Sequence, residues 1–158
     1  MDTNISDNFK GSAISRNGVK LERDQALIDV RDKVNEMGEL CRFELHTEQT
    51  VERDKFGNII RRIDNPSIAF DLYAFPIIMN PTEEQSEKAG LREATDIIIW
   101  TSILDWWEKG YTSERLQFID SIRMTVIIHG AKYEIKAKNF ESDFSDTNLY
   151  LTIGLNRV

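Results

Sequence analysis

Side chains that could bind a metal or act as nucleophiles are few in this chain, and their spacing does not favour either role. Cys41 and His46 are five residues apart, and His129 is distant in sequence. On one strand Cys41 and His46 would face opposite sides, and their spacing matches no familiar zinc pattern. No glycine-rich phosphate loop or GxSxG serine motif is present. We therefore predict no metal, no cofactor and no catalytic nucleophile.

Acidic residues give two further candidates for chemistry, and both are weak. Asp143, Ser145 and Asp146 resemble part of a calcium loop, but the complete ligand pattern of such a loop is missing. Glu83 and Glu84 lie where a short helix begins and favour its positive end, so we expect surface residues there rather than acid–base catalysts. The sequence gives no support for an enzyme.

Basic residues fall into two groups that could contact an acidic neighbour. One group lies on a predicted hairpin (Arg53, Lys55, Arg61 and Arg62), and the other on the outer face of a predicted strand (Lys132, Lys136 and Lys138). Neither group is interleaved with exposed aromatic residues as a base-stacking platform would be. Such groups are usually solvated faces.

The composition favours one ordinary globular domain. The chain has 158 residues, a single cysteine and a net charge of −7. It has no apolar run long enough for a membrane span and no N-terminal apolar segment of the secretory type, so we expect neither. The negative charge argues against wrapping nucleic acid, which needs clustered cations. Like charge is compatible with DNA passing nearby without adhering.

The elements that position these residues are best defined over Arg123–Leu155. Three runs there alternate apolar and polar residues and are separated by turns, which predicts an antiparallel meander. Its predicted core residues are Val126, Ile128, Tyr133, Ile135, Leu151 and Ile153.

Upstream, residues 1–20 are polar, and two interpretations stay open: a poorly ordered tail, or an arm that orders against a neighbouring subunit. A helix is predicted from Leu21 to Glu39, with Asp24 as its N-cap and Gly38 as its stop. Its apolar stripe is formed by residues at helical spacing, namely Leu27, Val30, Val34 and Met37.

A strand with Cys41 facing inward is predicted to lead into a long polar hairpin over residues 48–62. Its turn, Asp54–Asn58, needs a positive φ at Gly57 or Asn58. A hairpin this polar is not core, so it is either a solvated excursion or an arm that reaches a partner. The turn residues Asp54, Lys55, Phe56, Gly57 and Asn58 are candidate partner contacts.

A strand covered on both faces is predicted over Ser67–Phe75, followed by a short helix capped by Asn80 and ending by Gly90. The β-branched run after it favours a strand over Asp96–Thr101, with Ser102 and Asp105 resembling a capping box before a helical segment that ends at Gly110. Three tryptophans lie here (Trp100, Trp106 and Trp107). Their usual role is core packing, and at least one, Trp106 or Trp107, is a candidate subunit contact together with Arg53, Arg61 and Arg62.

Together these elements predict an α+β, mainly β fold. The expected architecture is a small antiparallel β-barrel, SH3-like or similar, with an N-terminal helix, short helices and a long polar hairpin. The expected organisation is an N-terminal arm (1–20) and a single domain (21–158) that carries the hairpin.

Element order from Phe75 to Val158 also resembles a known group of proteins. The segments that carry the resemblance are "NP…EQ…KAGL.E..D" (Asn80–Asp96), "G..Y.I" (Gly130 to Ile135) and "LYLTIGLNR" (Leu149–Arg157). This half of the chain resembles the small head-completion or neck proteins of tailed bacteriophages, the head-to-tail stopper and connector group.

The resemblance implies a structural virion protein that is assembled in the host cytoplasm and located in the neck. It implies a six- or twelve-fold homo-oligomeric ring that contacts a portal or adaptor protein above and a tail protein below. DNA would pass through the lumen without sequence-specific binding, and no membrane would be involved. A tail terminator or head–tail adaptor is the alternative within the same assembly.

In such a ring a loop closes the channel, and two loops are candidates: Asp54–Asn58 and Asn139–Asn148. The candidate contacts in the second loop are Phe140, Ser142, Asp143, Phe144 and Ser145. Either Phe140 and Phe144 are exposed there and covered by a partner, or both fold back onto the barrel. From another class, an OB-like nucleic-acid-binding module stays an alternative and predicts a basic groove with stacking aromatics.

Overall fold

The computed structural model describes residues 14–46, 50–63, 68–141 and 148–158. It confirms the predicted fold class: the chain is α+β, mainly β, with an N-terminal helix and a curled antiparallel sheet that forms a half-barrel. The helices are α1 (Ile14–Met37), α2 (Glu83–Lys88), α3 (Ile103–Glu108) and α4 (Ser113–Leu116), followed by a 3₁₀ turn at Ile119–Ser121. The strands are β1 (Glu39–Leu45), β2 (Thr50–Arg53), β3 (Ile59–Ile63), β4 (Ile68–Ala74), β5 (Ile77–Met79), β6 (Ile97–Ser102), β7 (Met124–Ile128), β8 (Ala131–Glu141) and β9 (Tyr150–Arg157).

Seven strands form one sheet in the order β4-β1-β7-β8-β9-β6-β5, and every neighbouring pair is antiparallel. The predicted meander is confirmed as β7-β8-β9, and its six predicted core residues are buried. His129 and Gly130 join β7 to β8 with φ values of 51° and 78°. Positive φ at both central residues suits a two-residue hairpin turn, since its twist matches that of the flanking strands.

The two edges of this sheet come together because consecutive strands form them. β4 lies at one edge and β5 at the other, yet only Phe75 and Pro76 separate them in the chain. The Phe75 N–H donates to the Trp100 carbonyl on β6 at 2.9 Å. This link forces the sheet to curl, and α1 contacts β4, β6 and α3 beside it.

The main core lies between the curled sheet and these helices. Trp106 at its centre is fully buried and meets Phe43 and Tyr111 edge to face, with ring centroids 5.1 and 5.5 Å apart. Edge-to-face packing suits the charge distribution of aromatic rings. A smaller core on the opposite side of the sheet is built by Ala89, Leu91 and Ile98. β9 therefore has buried residues on both faces.

Several sequence predictions about the helices were wrong in detail. α1 begins at Ile14 rather than Leu21, so Asp24 is a buried residue inside the helix and not its N-cap. Met37 is exposed because the stripe continues past the part of α1 that lies on the core. Thr82, not Asn80, caps α2, and it forms a complete capping box with Gln85. Asn80 has φ of 48°, whereas an N-cap needs the extended backbone that Thr82 adopts.

Two predictions about β4 and β6 met different outcomes. The second face of β4 is exposed rather than covered, because no element of the described structure packs over Ala69, Asp71 and Tyr73. The strand-to-helix change after Thr101 is confirmed: α3 ends at Glu108, and the chain turns away at Gly110, whose φ is 90°. Ser102 occupies the predicted cap position, but its side chain makes no capping hydrogen bond.

Candidate interaction surfaces

The predicted polar hairpin forms a two-stranded sheet of its own, β2-β3. Val51 lies opposite Arg62, and Glu52 lies opposite Arg61. Between residues 51 and 62 every side chain is exposed except that of Asp54, which is half-buried. Residues 51–62 therefore add nothing to the core, as predicted, and over these residues both strands offer their faces to solvent or to a partner.

The tip of the hairpin is held in one conformation by Asp54. Its carboxylate accepts the backbone N–H groups of Phe56 and Asn58, both at 2.9 Å. The hydrogen bond from the Asn58 backbone is the main cause that lowers the pKa of Asp54. Gly57 adopts φ of 83°, as the turn prediction required, and its carbonyl accepts from Arg53 at 2.9 Å. Such order before binding reduces the entropy that a partner contact must overcome.

Exposed apolar side chains make the surface of this hairpin less polar than predicted. Phe56 is 76% exposed and Ile60 is 66% exposed. The Lys55 ammonium lies 5.1 Å from the Phe56 ring centroid. The prediction that the hairpin cations are not interleaved with an exposed aromatic was therefore wrong, since the turn holds Phe56 outward next to Lys55.

The four hairpin cations differ in how they are engaged. Arg61 pairs with Glu52 at 2.9 Å, and Arg53 is hydrogen-bonded to the turn. Within the described residues, neither Arg62 nor Lys55 forms an ion pair. Arg62 and Lys55 are thus the cations most available to an acidic partner.

The other predicted contact residues are scattered rather than gathered. Trp106 is fully buried and is not a subunit contact, because it occupies the centre of the core. Trp107 is 37% exposed, and its indole donates to Ser113 at 3.2 Å. Phe140 lies in β8 and packs partly buried against the core, so it folds back onto the sheet. The remaining predicted loop contacts lie outside the described residues: Ser142, Asp143, Phe144 and Ser145. Residues 1–13 of the predicted arm also lie outside them.

A second surface, which the sequence did not indicate, is an acidic groove of about 170 Å³ where α1, β1, β4 and α3 meet. It is lined by Asn35, Leu40, Asp71, Leu72, Tyr73, Asp105, Glu108 and Lys109. Asp105 is 8% exposed, and its Oδ2 atom has no hydrogen-bond partner among the described residues. A buried carboxylate oxygen without a partner carries a substantial desolvation penalty.

Electrostatics at Asp105 follow from this burial. Desolvation, and then the neighbouring Glu108 carboxylate, raise the pKa of Asp105 to about 6. Arg31, Lys109 and a hydrogen bond from Asn35 oppose that rise, and Arg31 is itself paired with Glu108 at 2.6 Å. Position 105 was predicted only as part of a helix cap. The sequence does contain a signal for this buried carboxylate. Asp105 lies inside the apolar run ILDWW, so a helix covered on this side buries it.

A second groove, of about 430 Å³, lies beside β7 and β8 and includes His46, Asp120, Arg123 and Glu134. Its polar groups are largely occupied, since His46 bonds Thr125 at 2.8 Å and Asp120 pairs with Lys138 at 2.9 Å. Side chains already paired in this way are not arranged as a free acid and base.

The described residues offer few side chains suited to catalysis or metal binding. Within them, no group of three or more His, Cys, Asp or Glu side chains could hold a metal ion. Burial, and secondarily Glu39, raise the pKa of the Cys41 thiol to about 12. Only the thiolate is a good nucleophile, so Cys41 is inert at neutral pH. Within the same residues, no helix is long and apolar enough to cross a bilayer.

Compared with known proteins, the chain matches no protein-family model and no curated relative. Its function must therefore be inferred from the sequence pattern and from the two surfaces described above: the ordered hairpin with its exposed cations, and the acidic groove.

Proposed function

We propose that this protein is a structural component of the neck of a tailed bacteriophage. Its subunits form a ring below the portal, seal the DNA channel after packaging and join the head to the tail. The ordered hairpin carries this proposal, because a tip that holds Phe56 outward on a fixed turn is suited to contact a neighbouring chain.

Element order along the second half of the chain gives further support. From Phe75 onward the elements run β5, α2, β6, α3 and then the meander β7-β8-β9. The resemblance to neck proteins rests on this order. A tail terminator or a head–tail adaptor would use the same elements, so these positions within the neck stay alternatives under the same proposal.

Charge distribution fits a protein that DNA passes without adhering. The hairpin over residues 50–63 holds four cations and two carboxylates, a net charge of +2. The whole chain carries −7, so the residues outside the hairpin carry −9. A ring built from such subunits repels the phosphate backbone over most of its surface.

Electron microscopy of the particle that contains this chain tests the proposal. Gold-labelled antibody against the chain should mark the junction of head and tail, and the isolated neck should contain a closed ring of it. Antibody against the major capsid protein is the control and should mark the head shell. A chain that is absent from the particle, or that is a compact monomer in every assembly, would overturn the proposal.

Single-stranded nucleic acid binding is a second candidate, favoured by Phe56 beside Lys55 on the hairpin. Aromatic stacking next to cations is the general mode of such binding. A titration of labelled single strands at rising salt tests it. Micromolar affinity at physiological salt that is lost in Phe56→Ala would favour this function over the structural one.

A further inference from the structure

We propose that the hairpin of one copy docks into the acidic groove of a second copy, with Arg62 or Lys55 of the hairpin beside Asp105. That this contact closes into a ring rests on the proposed function. The hairpin and the groove would then be the surfaces through which ring neighbours recognise each other. The two surfaces are different parts of one chain, so the contact is head-to-tail. Contacts of this type close into rings or continue as filaments.

Charge complementarity identifies the occupant of the groove. Asp71, Asp105 and Glu108 line it, and Lys109 is its only lining cation among the described residues. Arg62 and Lys55 on the hairpin have no ion pair within the described residues. Since the hairpin carries +2 and the rest of the chain −9, a second copy supplies the opposite charge that the groove requires.

Apolar surface on both sides completes the match. Leu40 and Tyr73 lie opposite each other on β1 and β4 and line the groove, and they are 54% and 36% exposed. The hairpin offers Phe56 and Ile60, which are more exposed still. Burying these side chains against each other contributes hydrophobic free energy to the association, which does not depend on the direction of the contact.

Asp105 gives the contact its specificity. Its Oδ2 atom is buried without a hydrogen-bond partner in the described structure, so the groove is incomplete as it stands. A guanidinium or ammonium group supplies the missing donors and favours the ionised carboxylate. The groove, about 170 Å³ in volume, is small, so one cationic head group enters it while the apolar side chains meet at its rim.

Charge reversal on each surface tests the docking. The hairpin variant is Lys55→Glu with Arg62→Glu, neither of which removes a hydrogen bond of the turn. The groove variant is Asp71→Lys with Asp105→Asn, which removes the carboxylate that would repel a reversed hairpin and keeps the Arg31–Glu108 pair. The matched controls are Arg61→Gln, because Arg61 is already paired with Glu52, and Glu87→Lys, because Glu87 is an exposed acid on α2 away from both surfaces. Thermal melting of each variant establishes that it is folded.

Sedimentation of the isolated chain over a concentration series is the readout. The wild type should self-associate, and each reversed variant should do so more weakly by a factor on the order of ten or more. An equimolar mixture of the two reversed variants should recover association, because each hairpin then meets a groove of opposite charge. The two controls should behave as the wild type does.

Other outcomes separate the docking from the proposed function. A wild-type chain that stays monomeric, or a mixture that fails to recover association, overturns the docking. If particles incorporate the reversed variants normally in a neck ring, the docking is wrong and the proposed function stands. If the mixture recovers association but particles contain no ring, the docking stands and the proposed function is wrong.

Discussion

The Trp100 indole N–H donates to the Glu141 carboxylate at 2.8 Å and ties β6 to β8 across the intervening strand β9. The main chain of Trp100 also bonds Phe75 and Pro76, the two residues that connect the edges of the sheet. Trp100 thus links the meander to the Phe75–Pro76 connection, where the two edges of the sheet meet. A groove of about 290 Å³ beside it includes Lys33 and Tyr150.

Replacing Trp100 with Phe should therefore weaken the fold although the position is only half-buried. The variant loses the hydrogen bond to a charged acceptor and leaves Glu141 without it, which costs about 1–2 kcal/mol. Urea denaturation measures the free energy of unfolding. A double-mutant cycle with Glu141→Ala, which removes the acceptor, should give a coupling energy of about 1 kcal/mol. A coupling energy near zero would contradict the role given to this pair.

Trp106 and Trp107 are adjacent in sequence and should respond very differently to truncation. Trp106 is fully buried and donates to Thr101 at 2.8 Å, so Trp106→Ala should cost about 3–5 kcal/mol in the free energy of unfolding. Trp107→Ala is the matched control and should cost less than about 1 kcal/mol, since that side chain is more than one-third exposed. Urea denaturation of both variants gives the comparison. Equal losses would contradict the assignment of Trp106 to the core.

Asp105 should make stability fall as pH rises. Its folded pKa, raised by burial and by Glu108 to about 6, lies above the unfolded value of 3.8. Its contribution is therefore fully present below pH 3.8 and is lost as pH rises through about 6. The opposing cations Arg31 and Lys109 limit the loss. Asp105→Asn should match the wild type near pH 4 and be more stable by about 2 kcal/mol at pH 7.

Denaturation of both proteins across this pH range checks the Asp105 prediction. The informative quantity is the difference between the two unfolding free energies, because the other carboxylates cancel in it. A difference that is constant with pH would contradict a raised pKa at Asp105.

Gly38 should tolerate no side chain, because α1 turns there into β1 with no space to spare. An added Cβ atom would lie 2.3 Å from the Val34 carbonyl oxygen and 2.7 Å from that of Ala74. Both are backbone atoms, so Gly38→Ala should cost at least about 2 kcal/mol. Gly130→Ala is the control: it has positive φ but open space, and should cost about 1 kcal/mol. Thermal and urea unfolding measure both, and a smaller loss at Gly38 than at Gly130 would contradict the clash.

Most strands could be predicted from the sequence because their signal is local. Period-two alternation marks β1 and the meander β7-β8-β9, and it is confirmed by the burial of Cys41, Phe43, Val126 and Ile153. The hairpin turn was predictable for the same reason, since Asp54 and Gly57 determine it within five residues. The apolar run after Asp96 was also predicted correctly as a strand, because its β-branched residues disfavour a helix.

The predictions that failed depended on what lies beside an element rather than on the element itself. Met37 continues the apolar stripe of α1 but is 56% exposed, since none of the described elements covers that end of the helix. Ile68 alternates correctly on β4 and is 58% exposed for a similar reason. Alternation defines two faces of a strand, but only the neighbouring elements decide which positions on a face are buried.

By itself the sequence determined the fold class, the positions of most strands along the chain and the separation of a polar hairpin from the core. Only the tertiary structure decided that Asn35, Asp71 and Asp105 line one groove, since three elements far apart in the chain contribute them. It also decided that Asp105 is buried with an unbonded oxygen while Arg62 is free of ion pairs within the described residues. The physical reason is range: dihedral preferences and side-chain periodicity act between near neighbours, whereas burial and charge pairing depend on distances that only the folded chain establishes.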